Sequence, residues 1–449
     1  MLSAIALSLL LAAALWLSGM NEPAVQVGVV SCLAAGCLAT ISFRPAPRRT
    51  SARGAGRWDP RWGIPAVALL AFVLLQLSNP SHVFVRTSGE LVSRAHLPWL
   101  PHSVSAPATG GALLLLAGGM LLFWLTRLYL VDRRGVVAFL GVQVASGAAM
   151  AILVLEQRSG GAGAALYPVT GAFVSPNHYA AYANVLLPIS LGLARWFGEE
   201  ARQRHAGSHP GYLFWLAAGA LVASVLATRS RAGILICICL LAAFTSTGWM
   251  AMRVSRRLAV VGVFLLAGAG LAAAWVACEP AAAGALWSRL RSVPERVLTD
   301  APQRLAVLGA TLRMFSDRWL YGTGAGTFAL AFPYYQPVGV AGFYRHAHNE
   351  YLQILAEMGV FGSALLGGAL WAMWAAPRPG AGAGFSLGRG MREAVGLALA
   401  GLAAHALVDF PLRLPALGLL AAALVGCAGG WRRRSARRAS GRDDEWQVG

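Results

Sequence analysis

The chain has 449 residues, of which 57% are hydrophobic and only 12% charged, against about 25% charged in an ordinary soluble domain; this excludes a water-soluble enzyme as its main body. The formal net charge of +19 comes entirely from arginine, for the sequence contains no lysine, and those arginines sit in short clusters between apolar runs rather than on an aromatic-interleaved basic face, which argues against a nucleic-acid partner. All cysteines but Cys278 fall inside apolar runs, so no disulfide framework is visible, and Cys237 with Cys239, lacking a nearby His or carboxylate, reads as buried apolar side chains rather than a metal site.

Apolar runs of spanning length, about 20 residues, recur along the chain. They predict helices near 2–19, 24–42, 62–79, 111–126, 135–155, 178–195, 211–227, 232–252, 258–277, 351–375, 393–408 and 414–430. The first run lacks a basic n-region and is followed at once by another, so it reads as a retained helix and not a cleaved signal. The fold class expected is an all-α polytopic membrane protein of about 12 transmembrane helices. Residues 1–277 carry the first nine, 278–350 form one long extramembrane segment, 351–430 carry the last three, and 431–449 are a basic tail.

Arginine placement orients this body. With the amino terminus in the cytoplasm, most of the 37 basic residues fall in cytoplasmic loops and tails, as the positive-inside rule requires. Both termini are then cytoplasmic, segment 278–350 is periplasmic, and among the short outer loops only 228–231 dissents. Asn177, His178, Arg229, Arg231, the 278–350 segment, His405, Asp409 and Arg413 all share the outer face.

The dissenting turn is Thr228-Arg229-Ser230-Arg231. Two guanidinium forks there suit phosphate oxygens, a pyrophosphate above all; the alternative is arginines reaching to lipid headgroups. Further on, Arg304 lies in an amphipathic stretch, followed by Arg313, Arg318 and Gly322-Thr323-Gly324-Ala325-Gly326. That glycine run lacks the Lys-Ser/Thr of a nucleotide loop, so a tight backbone turn is expected and an ATP site is not. The densest polar stretch is Arg345-His346-Ala347-His348-Asn349-Glu350-Tyr351-Leu352-Gln353, in which Asn349, Gln353 and Glu357 share one helix face. Its His spacing is not that of a helical zinc site; a base or hydrogen-bonding site and a helix cap are the two readings.

These residues resemble the O-antigen ligase and polysaccharide polymerase family of bacterial inner membranes. The resemblance rests on Phe173-Val174-Ser175-Pro176-Asn177-His178-Tyr179-Ala180, on Ser230-Arg231-Ala232-Gly233, on the stretch from Arg304 to Gly326, and on His346 to Leu352 with Glu357 and Gly359. His405-Ala406-Leu407-Val408-Asp409-Phe410-Pro411-Leu412 looks like a motif of exopolysaccharide members. The similarity runs from about Gly171 onward.

The resemblance implies a periplasm-facing, metal-independent glycosyltransferase without a cofactor, acting in lipopolysaccharide or exopolysaccharide biosynthesis. Its donor would be a glycan on undecaprenyl pyrophosphate and its acceptor a lipid A core, with membrane lipids around it and no nucleic acid. His348 is then the expected base or acceptor-orienting group, Arg231 and Arg304 the pyrophosphate ligands, and Asn349 their orienting neighbour. Arg229, Arg313, Asn177 and Glu357 are further substrate-binding candidates. The family motif often has one His before Asn and this chain has two, so His346 is open to the role given to His348. Alternatives are a polymerase extending a lipid-linked glycan, a protein O-oligosaccharyltransferase, and a lipid-linked sugar transporter. A transporter needs ionisable groups near mid-membrane, whereas here the span centres are almost uncharged.

Overall fold

The structure, a computed structural model, describes residues 2–17, 59–85, 90–130, 133–159, 170–205, 207–249, 293–375 and 389–428. In chain order these form α1 (Leu2–Leu17), α2 (Pro60–Ser78), a hairpin of β1 (His82–Val85) and β2 (Glu90–Ser93), α3 (Ala106–Tyr129), α4 (Arg133–Ser159), α5 (Pro176–Gln203), α6 (Gly211–Thr228), α7 (Arg231–Trp249), α8 (Val293–Asp317), α9 (Glu350–Ala375), α10 (Arg389–His405) and α11 (Pro415–Ala428). Every predicted span that falls on described residues coincides with a helix; the expected spans 24–42 and 258–277 and the basic tail lie outside them.

Local sequence explains where several helices begin. Asp59, Ser105 and Ser175 stand before α2, α3 and α5, each with a proline in the first turn, and their side chains accept from the backbone N–H groups of Arg61, Ala108 and Asn177. Five helices, α2, α3, α4, α6 and α9, are long and apolar enough to cross a membrane; Ile5–Trp16, Arg231–Ser246 and Pro415–Ala428 are shorter apolar stretches. The chain is thus a mainly helical membrane protein.

The centre of the bundle is α5, whose side chains are buried from His178 to Ala194. It packs against α4, α6, α7 and α10. Small residues permit the close approach, since a Cβ added at Gly192 would lie 2.6 Å from the Ala394 methyl. The carboxyl ends of α2, α4, α6 and α10 gather with the amino ends of α3, α5, α7, α9 and α11. Asn177 accepts from Ser230, Gln157 donates to Gly171, the Glu350 amide donates to Ala406, and Gln76 donates to Tyr321, all at this end.

Three features depart from uniform spanning helices. The loop between α2 and α3 folds into the antiparallel hairpin, with His82 paired to Ser93 and Val83 to Val92. The segment after it in importance, α8, is an amphipathic helix of 25 residues. Its Val307, Ala310 and Met314 pack on Phe328, Phe332, Ala347 and Ala356, while Arg304 and Arg313 are exposed.

The third departure is a break in α9 at Gly359, at φ 64° and ψ −174°. That region of backbone space is essentially reserved for glycine. The break frees the carbonyls of Ala356 and Glu357 and the amides of Val360 and Phe361, and a bilayer offers no water to satisfy them. The chain does so instead: Thr323 and Gly324 donate to the two carbonyls at 3.1 and 2.9 Å, and Val360 and Phe361 donate to Trp319 and Leu320 at 2.8 and 3.1 Å. A Cβ at Gly359 would strike the Leu320 carbonyl. Gly359→Ala is therefore expected to destabilise the fold by at least about 1–3 kcal/mol, read as a lower midpoint of unfolding in mixed micelles; an unchanged midpoint would mean that the break is not part of the folded protein.

Candidate functional site

The polar ends gathered at this face build one connected site, and its anchor is Glu357 on α9. This carboxylate is 1% exposed. It accepts from the backbone amides of Gly326 at 2.9 Å and Phe328 at 3.2 Å, from Gln353 at 3.0 Å and from Arg413 at 2.8 Å. The glycine run therefore is a tight turn, with Gly322, Gly324 and Gly326 all at positive φ, and the anion it cradles is the chain's own. Arg413 reaches in from the loop between α10 and α11 and bridges to Glu350 as well, Nε to Oε1 at 3.4 Å. Burial alone would lower the Arg413 pKa, but Glu357 and Glu350 outweigh it and raise the pKa above its usual value.

Next to this buried ionic core stands a histidine cluster around Phe410. The His346 ring stacks on Phe410 with centroids 4.0 Å apart, His348 lies at 5.4 Å and His178, from α5, meets it edge-on at 4.9 Å. The His346 Nδ1 faces the Gln353 amide at 3.3 Å. Burial first, and the Arg413 charge second, push its pKa down to about 3, so this imidazole stays neutral through the ordinary pH range.

His348 is placed differently. Its side chain is 39% exposed, and its Nδ1 lies 3.3 Å from Oδ1 of Asp409. Its backbone is left-handed, at φ 54°, a conformation that costs a non-glycine residue roughly 1–3 kcal/mol and clusters at functional sites. Burial would raise the Asp409 pKa, yet the His348 bond, the nearby His178 and His348 charges and a bond with Asn177 bring it below the usual carboxylate value. Asp409 therefore remains an anion to lower pH than a free aspartate, and whatever it contributes to stability is lost only as pH falls through that lowered value.

The remaining expected residues divide. Asn177 sits in this network, accepting from Ser230 Oγ at 2.6 Å. Ser230 Oγ also accepts from Gly233 at 3.1 Å, capping α7 between Arg229, which closes α6 in a left-handed conformation, and the exposed Arg231. Asn349 caps α9: its Oδ1 accepts from Leu352 at 2.9 Å and its amide donates to the Leu407 carbonyl at 3.1 Å. Arg313 on α8 donates to the Tyr335 carbonyl. Arg304 is exposed three residues before Val307, which shares a cluster with Ala347, the residue between the two histidines; among the described residues Arg304 has no hydrogen bond to the cluster.

Residues with no expected site role hold the network together: Asp409 and Arg413, placed only among the outer-face polar groups, and Phe410, Gln353 and Glu350. The stretch from His405 to Leu412 was the signal for Asp409 and Phe410, but nothing local in it indicates that Asp409 meets His348 from 61 residues away.

A mainly helical membrane protein with a histidine and carboxylate site at one end of its bundle, edged by arginines, is the class these features define. Residues 215–367 match the family model described as O-antigen ligase. That region runs from within α6 to within α9, and through it the chain is similar to the O-antigen ligase family that its motifs resemble. Among curated proteins the chain finds no match.

Proposed function

We propose that this protein transfers a glycan from undecaprenyl pyrophosphate to an acceptor hydroxyl on the periplasmic side of the bacterial inner membrane, as an O-antigen ligase with a lipid A core acceptor. The observation that carries this reading is the His348 and Asp409 pair on a partly exposed lip. With Nδ1–H donating to Asp409, the lone pair on Nε2 is free to accept a proton. The acceptor O–H gives its proton to Nε2 while its oxygen bonds to the anomeric carbon of the glycan. The bond from that carbon to the pyrophosphate oxygen breaks, and its electron pair leaves with undecaprenyl pyrophosphate. Arg231 and Arg304 hold the developing charge, with Arg229 and Arg313 as further donors, each contact contributing up to about 3–4 kcal/mol. Arginine forks serve the diphosphate without a metal ion.

Orientation supports the same reading. The end opposite the site carries Arg133, Arg195 and Arg204, which pair with Glu199 and Glu200, and a cytoplasmic position for that end satisfies the positive-inside rule. A polymerase would use the same donor site with a growing glycan as acceptor, and the supply of Asp409 by the stretch that looks like an exopolysaccharide motif keeps that reading alive.

Purified full-length protein given an undecaprenyl-pyrophosphate glycan and lipid A core is expected to join the two, with chelator leaving the rate unchanged. Arg304→Ala is expected to lower the rate by roughly 10²-fold or more. Lengthening of the lipid-linked glycan with no transfer to core would replace ligase by polymerase. Translocation without a new glycosidic bond, or a chelator-sensitive rate restored by a divalent ion, would end the metal-free transferase proposal.

A further inference from the structure

A second polar cluster lies apart from Glu357 and His348, on the loop between α2 and α3. His102 is 4% exposed, and its Nε2 lies 2.9 Å from Nη1 of Arg318 at the end of α8. Its ring is 5.0 Å from that of His96, and its Nδ1 faces the Leu100 carbonyl at 3.3 Å. His82, at the start of the hairpin, feels the charges of both His96 and Arg318. Three imidazoles and a guanidinium thus converge, and the carboxylates nearest in sequence turn elsewhere. Asp317 bonds the Tyr335 hydroxyl. Glu90 pairs across the hairpin with Val85, three positions from His82, so the strand alternation puts it on the opposite face. Arg94 is also exposed in this loop, its carbonyl facing His96.

The surroundings are apolar. Leu97, Trp99, Trp319 and Leu320 are 49%, 69%, 56% and 40% exposed, a composition that suits the boundary between headgroups and acyl chains. The level in the bundle agrees: Trp319 and Leu320 bond the backbone at the α9 break, and α2 ends at Ser78 just before this loop.

We propose that His102, His96, His82 and Arg318 form a binding site for the phosphate of a membrane lipid in the leaflet on this side of the bundle, with Trp99 and Trp319 seated among its acyl chains. Four groups able to carry positive charge, with no carboxylate paired to them among the described residues, match a phosphate, and the exposed aromatic and leucine side chains select a phosphate borne on a lipid over a free one. The site is independent of the glycosyl-transfer reading, because none of its four polar groups belongs to that machinery. Burial, together with the mutual repulsion of these groups, holds His82 and His102 below the ordinary imidazole pKa. An arriving phosphate reverses that repulsion, so binding takes up protons and strengthens as pH falls.

The test uses the full chain in detergent, titrated with dihexanoyl phosphatidic acid, dihexanoyl phosphatidylcholine and inorganic phosphate at pH about 6 and about 8. Phosphatidic acid is expected to bind at least about tenfold tighter than the other two, more tightly at the lower pH, and to lose about tenfold or more in R318Q/H96Q. Both changes fall outside the buried core; a His102→Gln chain that keeps its unfolding midpoint is expected to lose binding likewise. Wild-type affinity in R318Q/H96Q, or equal binding of phosphatidylcholine, would overturn the site. Inorganic phosphate binding as tightly as the lipid would overturn the lipid assignment.

Discussion

His348→Ala is expected to reduce glycan transfer by roughly 10²–10⁴-fold, the usual contribution of a positioned base, while the protein still inserts and folds. The side chain is partly exposed and its single polar partner in the described residues is Asp409, so its removal opens no large cavity. Asp409→Asn should approach the same loss by another route. An asparagine that presents its amide to Nδ1 forces the proton onto Nε2, where the acceptor hydroxyl would need a lone pair. His346→Ala separates the two histidines. That ring is stacked on Phe410 and bonded to Gln353, so its removal should lower stability first and transfer only through the tilt of Phe410. Transfer at the wild-type rate in His348→Ala, with His346→Ala inactive yet fully folded, would hand the base role to His346.

How far the sequence reveals this site depends on the range of the interactions involved. Apolar length, Ser and Asp caps and prolines in first turns are local, and they mark the helices well. The motif from His346 to Asn349 is local too, and its two readings are both realised: Asn349 caps α9, and His348 presents a ring at the lip. Glu357 illustrates the opposite limit. Its spacing from Gln353 places it on the same helix face and the family resemblance implies a substrate-binding role, yet its partners are amides about thirty residues upstream and a guanidinium 56 residues downstream. The Gly359 break is equally silent, because a glycine in a spanning helix is ordinary and only the facing backbone of 319–324 makes it necessary. The hairpin at 82–93 escapes because it lies in a stretch between two spans that hydropathy treats as mere connection.

The largest structural effect is expected from Arg413. Its Nε faces Glu350 and its Nη1 faces Glu357, two carboxylates that are 3% and 1% exposed as residues. Arg413→Ala leaves both without their cation, and breaking a buried pair in this way costs about 3–5 kcal/mol. Lysine should not rescue it, since one ammonium cannot occupy both ends of the fork. The loss spreads because Glu357 also holds the amides of Gly326 and Phe328, which fix the turn that follows α8 and the backbone that fills the α9 break. Glu357→Gln removes half of the same unit while keeping a hydrogen-bonding group in place, so it should cost far less in the Arg413→Ala background than in the wild type. A double-mutant cycle read by unfolding in mixed micelles is expected to give a coupling of about 1–3 kcal/mol. Additive costs would mean that Arg413 and Glu357 act separately and that the glycine turn is held by its own backbone bonds alone.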